Sequence, residues 1–144
     1  MILDAAAGRM PAYVDTGLNI VHVDDVAIGH RLALERGRAG RRYILGGENM
    51  TLAEIVRAAA REGGAREPRI RLPRLPLYPV AVVAEMVARV TRRPPRITLD
   101  GLRLAGKHMY FDTHRARHEL GLAPRPAAEA IREGVDWFRT AGYF

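Results

Sequence analysis

Two carboxylates, Asp24 and Asp25, stand side by side directly after a β-branched run, residues 19–23 (NIVHV). A neighbouring pair of this kind can divide into acid and base when its members have different surroundings. Adjacent residues at a strand-to-helix turn point apart, however, and a carboxylate at a helix start satisfies free N–H groups, so capping accounts for at least one of the two. His114 and His118 are four residues apart, a spacing that on a helix puts two imidazoles on one face, as a shared metal ion requires. The glutamate that follows the first histidine of a helical zinc motif is replaced by Arg115, and no third ligand is evident, so no metal site is expected. His22 lies within the 19–23 run, either turned to a ligand or, as is usual for such a histidine, held in a structural hydrogen bond. Gly46-Gly47 and Gly63-Gly64 lack the spacing of a nucleotide loop and are read as turns. Arg92, Arg93 and Arg96 make the densest basic cluster in a Pro-rich stretch, read as a solvated loop.

The missing residue types exclude more. The 144 residues contain neither cysteine nor serine, so disulfides, thiolate chemistry and a serine nucleophile are ruled out. Thr16, Thr51, Thr91, Thr98, Thr113 and Thr140 are the only aliphatic hydroxyls. The net charge of +7 comes almost wholly from arginine and would suit an anionic partner. The arginines are read as scattered, without interleaved aromatics, and no nucleic-acid partner is expected. No apolar run has the length of a membrane span, and the first residues do not read as a signal peptide, so a cytoplasmic protein is expected.

The elements that would hold these residues follow from periodicity. Residues 1–18 read as a loop-rich lead-in, opening on what looks like the tail of a helix. Residues 19–23 predict a strand, followed by a helix over 26–35 whose broad apolar arc predicts burial. Residues 42–46 predict a second strand. Thr51-Leu-Ala-Glu54 is a capping box, and Leu52, Ile55, Val56 and Ala59 form the stripe of an amphipathic helix that Gly63-Gly64 stops. A strand is expected at 69–72 and an apolar helix over 80–90, with Glu85 and Arg89 spaced for an exposed ion pair. That helix suits a buried core, a dimer interface or a membrane-surface anchor, in that order. Thr98 would cap a short helix over 98–105. Residues 108–111 predict a strand, 114–120 a helix capped by Asp112 and Thr113 and closed by Gly121, and Pro126 opens a last helix carrying Ile131, Val135 and Phe138. Strands separated by helices predict an α/β chain with parallel strands. So few strands make a poor independent sheet, which suggests a larger sheet alongside.

Four stretches, GRMPAYVDTGLNIVHVDDVAIGH, GRRYILGGENMTLAEI, MYFDTHRARHELGL and VDWFRTAGY, resemble extended short-chain dehydrogenase/reductases. The resemblance is nearest to hopanoid-associated sugar epimerases and dihydroflavonol reductase-like proteins. It implies the C-terminal portion of a Rossmann-type enzyme, with a few short parallel strands and a helix-rich substrate lobe. Residues 1–66 would be the last strands and helices flanking the sheet, and residues 67–144 the lobe. The family's cofactor fingerprint and its Tyr-x-x-x-Lys base are absent: the one lysine is Lys107, and Arg103 stands four before it. No catalytic residue is therefore carried over. NAD or NADP is expected in the complete enzyme and none on this chain alone. The partners implied are a missing N-terminal Rossmann portion or a homo-oligomer, and a small-molecule substrate. The activity implied is that of an NAD(P)-dependent sugar epimerase/dehydratase or a ketone/alcohol reductase. Where nucleotide-sugar enzymes resemble R-D-Y-I-H-V, with an arginine for the diphosphate, this chain has Leu18, so a more apolar or differently charged substrate is implied. Position in the family makes Met10, Pro11, Tyr13, Asn19 and Tyr78 the substrate-facing residues. The alternatives are a dimerisation module, which a bared apolar face would favour, and a basic nucleic-acid or membrane-surface binder.

Overall fold

The computed structural model describes residues 1–92 and 98–144. The capping box forms as read. Thr51 Oγ1 accepts the Glu54 N–H at 3.2 Å, and the Glu54 carboxylate takes the Thr51 N–H and hydroxyl at 2.8 and 2.7 Å. These bonds from Thr51 hold the Glu54 carboxyl below its ordinary pKa. They start helix α3 (Leu52–Glu62), whose predicted stripe is buried. It packs on α1 (Ile2–Ala6) and α6 (Ala127–Thr140) through Ala5, Ala6, Ile131 and Val135. Gly63 abuts the Ala6 carbonyl, where a Cβ would collide, so the end of α3 can lie on α1 only with a glycine there.

The strands are shorter than expected and only partly parallel. β1 (Ala12–Val14), inside the segment read as a lead-in, pairs in parallel with β4 (Ile70–Leu72). β2 (Gly17–Ile20) pairs antiparallel with β3 (Glu48–Thr51), Gly17 facing Thr51. β2 stops at Ile20, before the end of the predicted 19–23 strand, because His22 is the cap of α2 (Val23–Arg36). Residues 42–46 join no ladder. No strand among the described residues runs beside them, and a strand without a neighbour has nothing to satisfy its N–H and C=O groups. The predicted strand at 108–111 is reduced to one bridge, between Leu18 and Met109. α2 is also less covered than its composition predicts. Leu32 packs with Ala116, Leu120 and Leu122, while Val23 and Leu34 lie 74% and 88% exposed.

α4 (Leu77–Thr91) begins three residues early, with Pro79 in its first turn, where no N–H is required. It is not a core helix: only Ala81 is buried. Glu85 does not pair with Arg89. Its carboxylate accepts the Leu99 N–H at 2.8 Å, helping Thr98 to start α5 (Leu99–Leu104). Two residues of the basic cluster, Arg93 and Arg96, lie outside the described residues. After two helical residues the predicted 114–120 helix widens into a π turn (Ala116–Leu120), closed by Gly121 at φ 75°.

Thr51→Ala should cost about 1 kcal/mol. Ile55→Ala, in the core, should cost roughly 3 kcal/mol. Both are read from urea unfolding midpoints, and equal effects would refute the core assigned to α3.

Candidate functional site

An apolar cavity of about 300 Å³ opens between β1, β4, the start of α4 and α5. Its wall includes Met10, Tyr13, Leu72, Leu77 and Leu102, and among the described residues no charged side chain lines it. Its hydroxyls, on Tyr13 and Thr98, are already engaged. Arg57 Nη2 donates to the Tyr13 oxygen at 3.1 Å, and Thr98 Oγ1 accepts the Gly101 N–H at 3.0 Å. Each retains its own proton to donate. The cavity can therefore enclose an apolar body and offer it a few neutral hydrogen bonds.

Of the substrate-facing residues expected from the sequence, Met10 and Tyr13 come together on this wall. Pro11 is exposed and Tyr78 half-buried, and neither lines the cavity. Asn19 is a brace: its Nδ2 donates to Asn49 Oδ1 at 2.8 Å and its Oδ1 accepts the Gly47 N–H at 2.9 Å. The remaining wall residues come from segments far apart in the chain. Leu72 lies in the strand expected at 69–72.

The charged motifs form a second, different cluster. Asp25 is 4% exposed. Its Oδ2 accepts the Arg125 backbone N–H at 2.8 Å, and its Oδ1 accepts from Arg125 Nε at 3.0 Å and Nη2 at 2.9 Å. Burial pushes the Asp25 carboxyl up, but the hydrogen bonds and charge of Arg125, with His22 nearby, outweigh it and hold the pKa below the ordinary 3.8. Asp24 is exposed and lies 3.6 Å from Arg125 Nη2. His22 is 6% exposed. It accepts the Asp24 N–H on Nδ1 at 3.2 Å and meets Glu133 through Nε2 at 2.8 Å. The two aspartates and the histidine thus anchor the start of α2 to α6. A carboxylate kept ionised in this way has no proton to give at neutral pH. His114 and His118 stack at 4.1 Å between ring centroids, and among the described residues no group of three metal-ligating side chains forms.

Comparison with known proteins gives a consistent set. A putative dihydroflavonol 4-reductase of Synechocystis is 40% identical, the match covering 99% of this chain and 43% of the relative. Sterol demethylase protein B of Methylococcus capsulatus is 34% identical, over 98% and 44%. The crystal structure of gox2253 superposes with a TM-score of 0.79 at 52% identity, covering 99% of this chain and 43% of that one. A nucleoside-diphosphate-sugar epimerase from Pseudomonas aeruginosa gives a TM-score of 0.71 at 29% identity, covering 99% and 42%. The chain thus spans less than half the length of these relatives. No family model matches it.

Asp25→Asn should destabilise the fold by about 2 kcal/mol at neutral pH, the worth of hydrogen bonds to a charged group. Because the folded-state pKa is depressed, the wild-type advantage is complete above the ordinary carboxyl pKa. It should fade as pH falls below 3.8 through the lower folded value. Unfolding midpoints of both proteins across pH 2–7 test this, and an unchanging difference would refute the assignment.

Proposed function

We propose that this chain, which matches the C-terminal part of the extended short-chain dehydrogenase/reductase family in sequence and fold, supplies the substrate side of an NAD(P)-dependent epimerase or reductase. The apolar cavity between β1, β4, α4 and α5 takes the non-reacting body of the substrate. The observation that carries this reading is the apolar lining of the cavity, Met10, Val14, Leu72, Leu77 and Leu102, with no charged side chain among the described residues of its wall. Leu18, at the position where nucleotide-sugar enzymes resemble R-D-Y-I-H-V, supports it. Two relatives are named for a dihydroflavonol and a sterol, both largely apolar skeletons. A diphosphate would need cations, which the described residues of this wall do not offer.

The residues present do not fit a dinucleotide. Gly46 packs under Asn19 and Thr113, Gly63 lies against Ala6, and neither leaves a backbone cradle open to phosphate. NAD(P), when bound to the complete enzyme, would supply hydride chemistry from a site outside these residues. On this reading residues 1–66 flank the Rossmann sheet and residues 67–144 carry the lobe, with α6 returning onto α1 and α3. The unpaired segment 42–46 and the exposed Val23, Ile28 and Leu34 of α2 are the seat of the N-terminal portion. A homo-oligomer built on the same bared edge is the second reading, and light scattering separates the two.

The chain alone should bind a flavanone saturably in calorimetric titration and should not bind UDP-glucose. Leu72→Glu, in the wall, should weaken flavanone binding by roughly tenfold or more, the cost of a buried unpaired charge. Binding of UDP-glucose but not of the flavanone would overturn the substrate class. NAD(P)H turnover by the unaided chain would overturn the division of labour.

A further inference from the structure

We propose that the α4–α5 lobe docks on an anionic membrane surface, with α4 lying flat in the headgroup layer. The first observation is that the amphipathicity of α4 is inverted. The side packed on the rest of the chain carries Ala81, Ala84, Glu85 and Ala88, while the larger side chains turn outward. Val83, Met86, Val87 and Val90 are between 52% and 85% exposed. At 100° per residue these four, with Val80 and Val82, cover an arc of roughly 160° that contains no polar side chain. This face is turned away from Leu77, which lines the cavity, so the proposal does not rest on how the cavity is used.

The second observation is where the charge lies. Residues 69–107 hold nine of the 23 basic residues but two of the 16 acidic ones, which is the whole net charge of +7. The remainder of the chain is neutral. The arginines that look scattered along the sequence are therefore segregated by charge balance, not by number. Arg74, Arg89, Arg92 and Lys107 are exposed in this lobe, Arg103 pairs with Asp100 at 3.1 Å, and Glu85 is turned inward to the Leu99 N–H. An apolar helix face with Arg89 and Arg92 in and after its last turn, in a segment of net positive charge, matches an acyl boundary beneath anionic headgroups. At fifteen residues α4 is about 22 Å long. No helix among the described residues is long and apolar enough to cross a membrane, so docking is peripheral.

Other occupants fit less well. A second copy would bring two lobes of the same +7 excess face to face. A nucleic acid would meet valines, with no stacked aromatic platform.

The chain has no cysteine, so Val87→Cys gives a single site for an environment-sensitive dye, and Ala128→Cys, at an exposed position of α6, gives a reference site. With vesicles of equimolar phosphatidylcholine and phosphatidylglycerol, the dye at residue 87 should shift to the blue and the dye at 128 should not. Phosphatidylcholine vesicles, or the outward-facing substitution Met86→Glu, should raise the half-maximal lipid concentration roughly tenfold or more. Arg89→Glu with Arg92→Glu should do the same while leaving the apolar face intact. Circular dichroism verifies that each variant keeps its helices. Four results would overturn the proposal: no shift with anionic vesicles, equal binding to neutral ones, a shift that follows protein concentration without lipid, or a shift produced by duplex DNA instead.

Discussion

A buried carboxylate must have a partner, and Asp25 finds one a hundred residues away in Arg125. Much of the arrangement depends on this pair. It sets the start of α2 against the start of α6, and His22 with Glu133 adds a second tie, from the cap of α2 to the middle of α6. With α6 placed, Ile131 and Val135 cover the stripe of α3, and α1 closes the same core from the other side. The Pro residues on both sides of Arg125 restrict the backbone that presents its N–H and guanidinium to one carboxylate.

The groups that look most reactive in the sequence are consumed by this framework. The paired aspartates, His22 and Asn19 all hold elements in place. What is left open is an apolar cavity bounded by neutral hydroxyls, beside a helix that shows its valines to the outside. The two kinds of surface are separated. The neutral part of the chain contains the core, and residues 69–107 contain the charge excess.

Local signals were legible wherever the determining groups lie within one turn of each other. The Thr51–Glu54 box, the stripe of α3, Thr98 as a cap and Gly121 as a stop all formed as the residue types require. Misreadings came where a distant or absent neighbour decides. Residues 42–46 have strand composition, but a ladder needs a second strand. Glu85 has the spacing for Arg89, yet an unsatisfied helix start at Leu99 takes its carboxylate. Capping is expected of at least one of Asp24 and Asp25, but the His22 side chain already caps α2, and Asp25 pairs with the Arg125 guanidinium. Of the cavity wall, Met10 and Tyr13 came from the family resemblance. Leu77 and Leu102 belong to helices whose packing no local period reveals.

The core of α1, α3 and α6 joins residues near the two ends of the chain, Ala5 and Ile131 among them. During synthesis α1 and α3 emerge early, with Ile55 and Val56 uncovered, and wait for α6. Contacts of such sequence separation close slowly because the intervening loop entropy is lost before they form. The nascent protein therefore passes through an interval in which the apolar face of α3 is available to chaperones and to proteases. Shortening the chain within α6 would make that interval permanent.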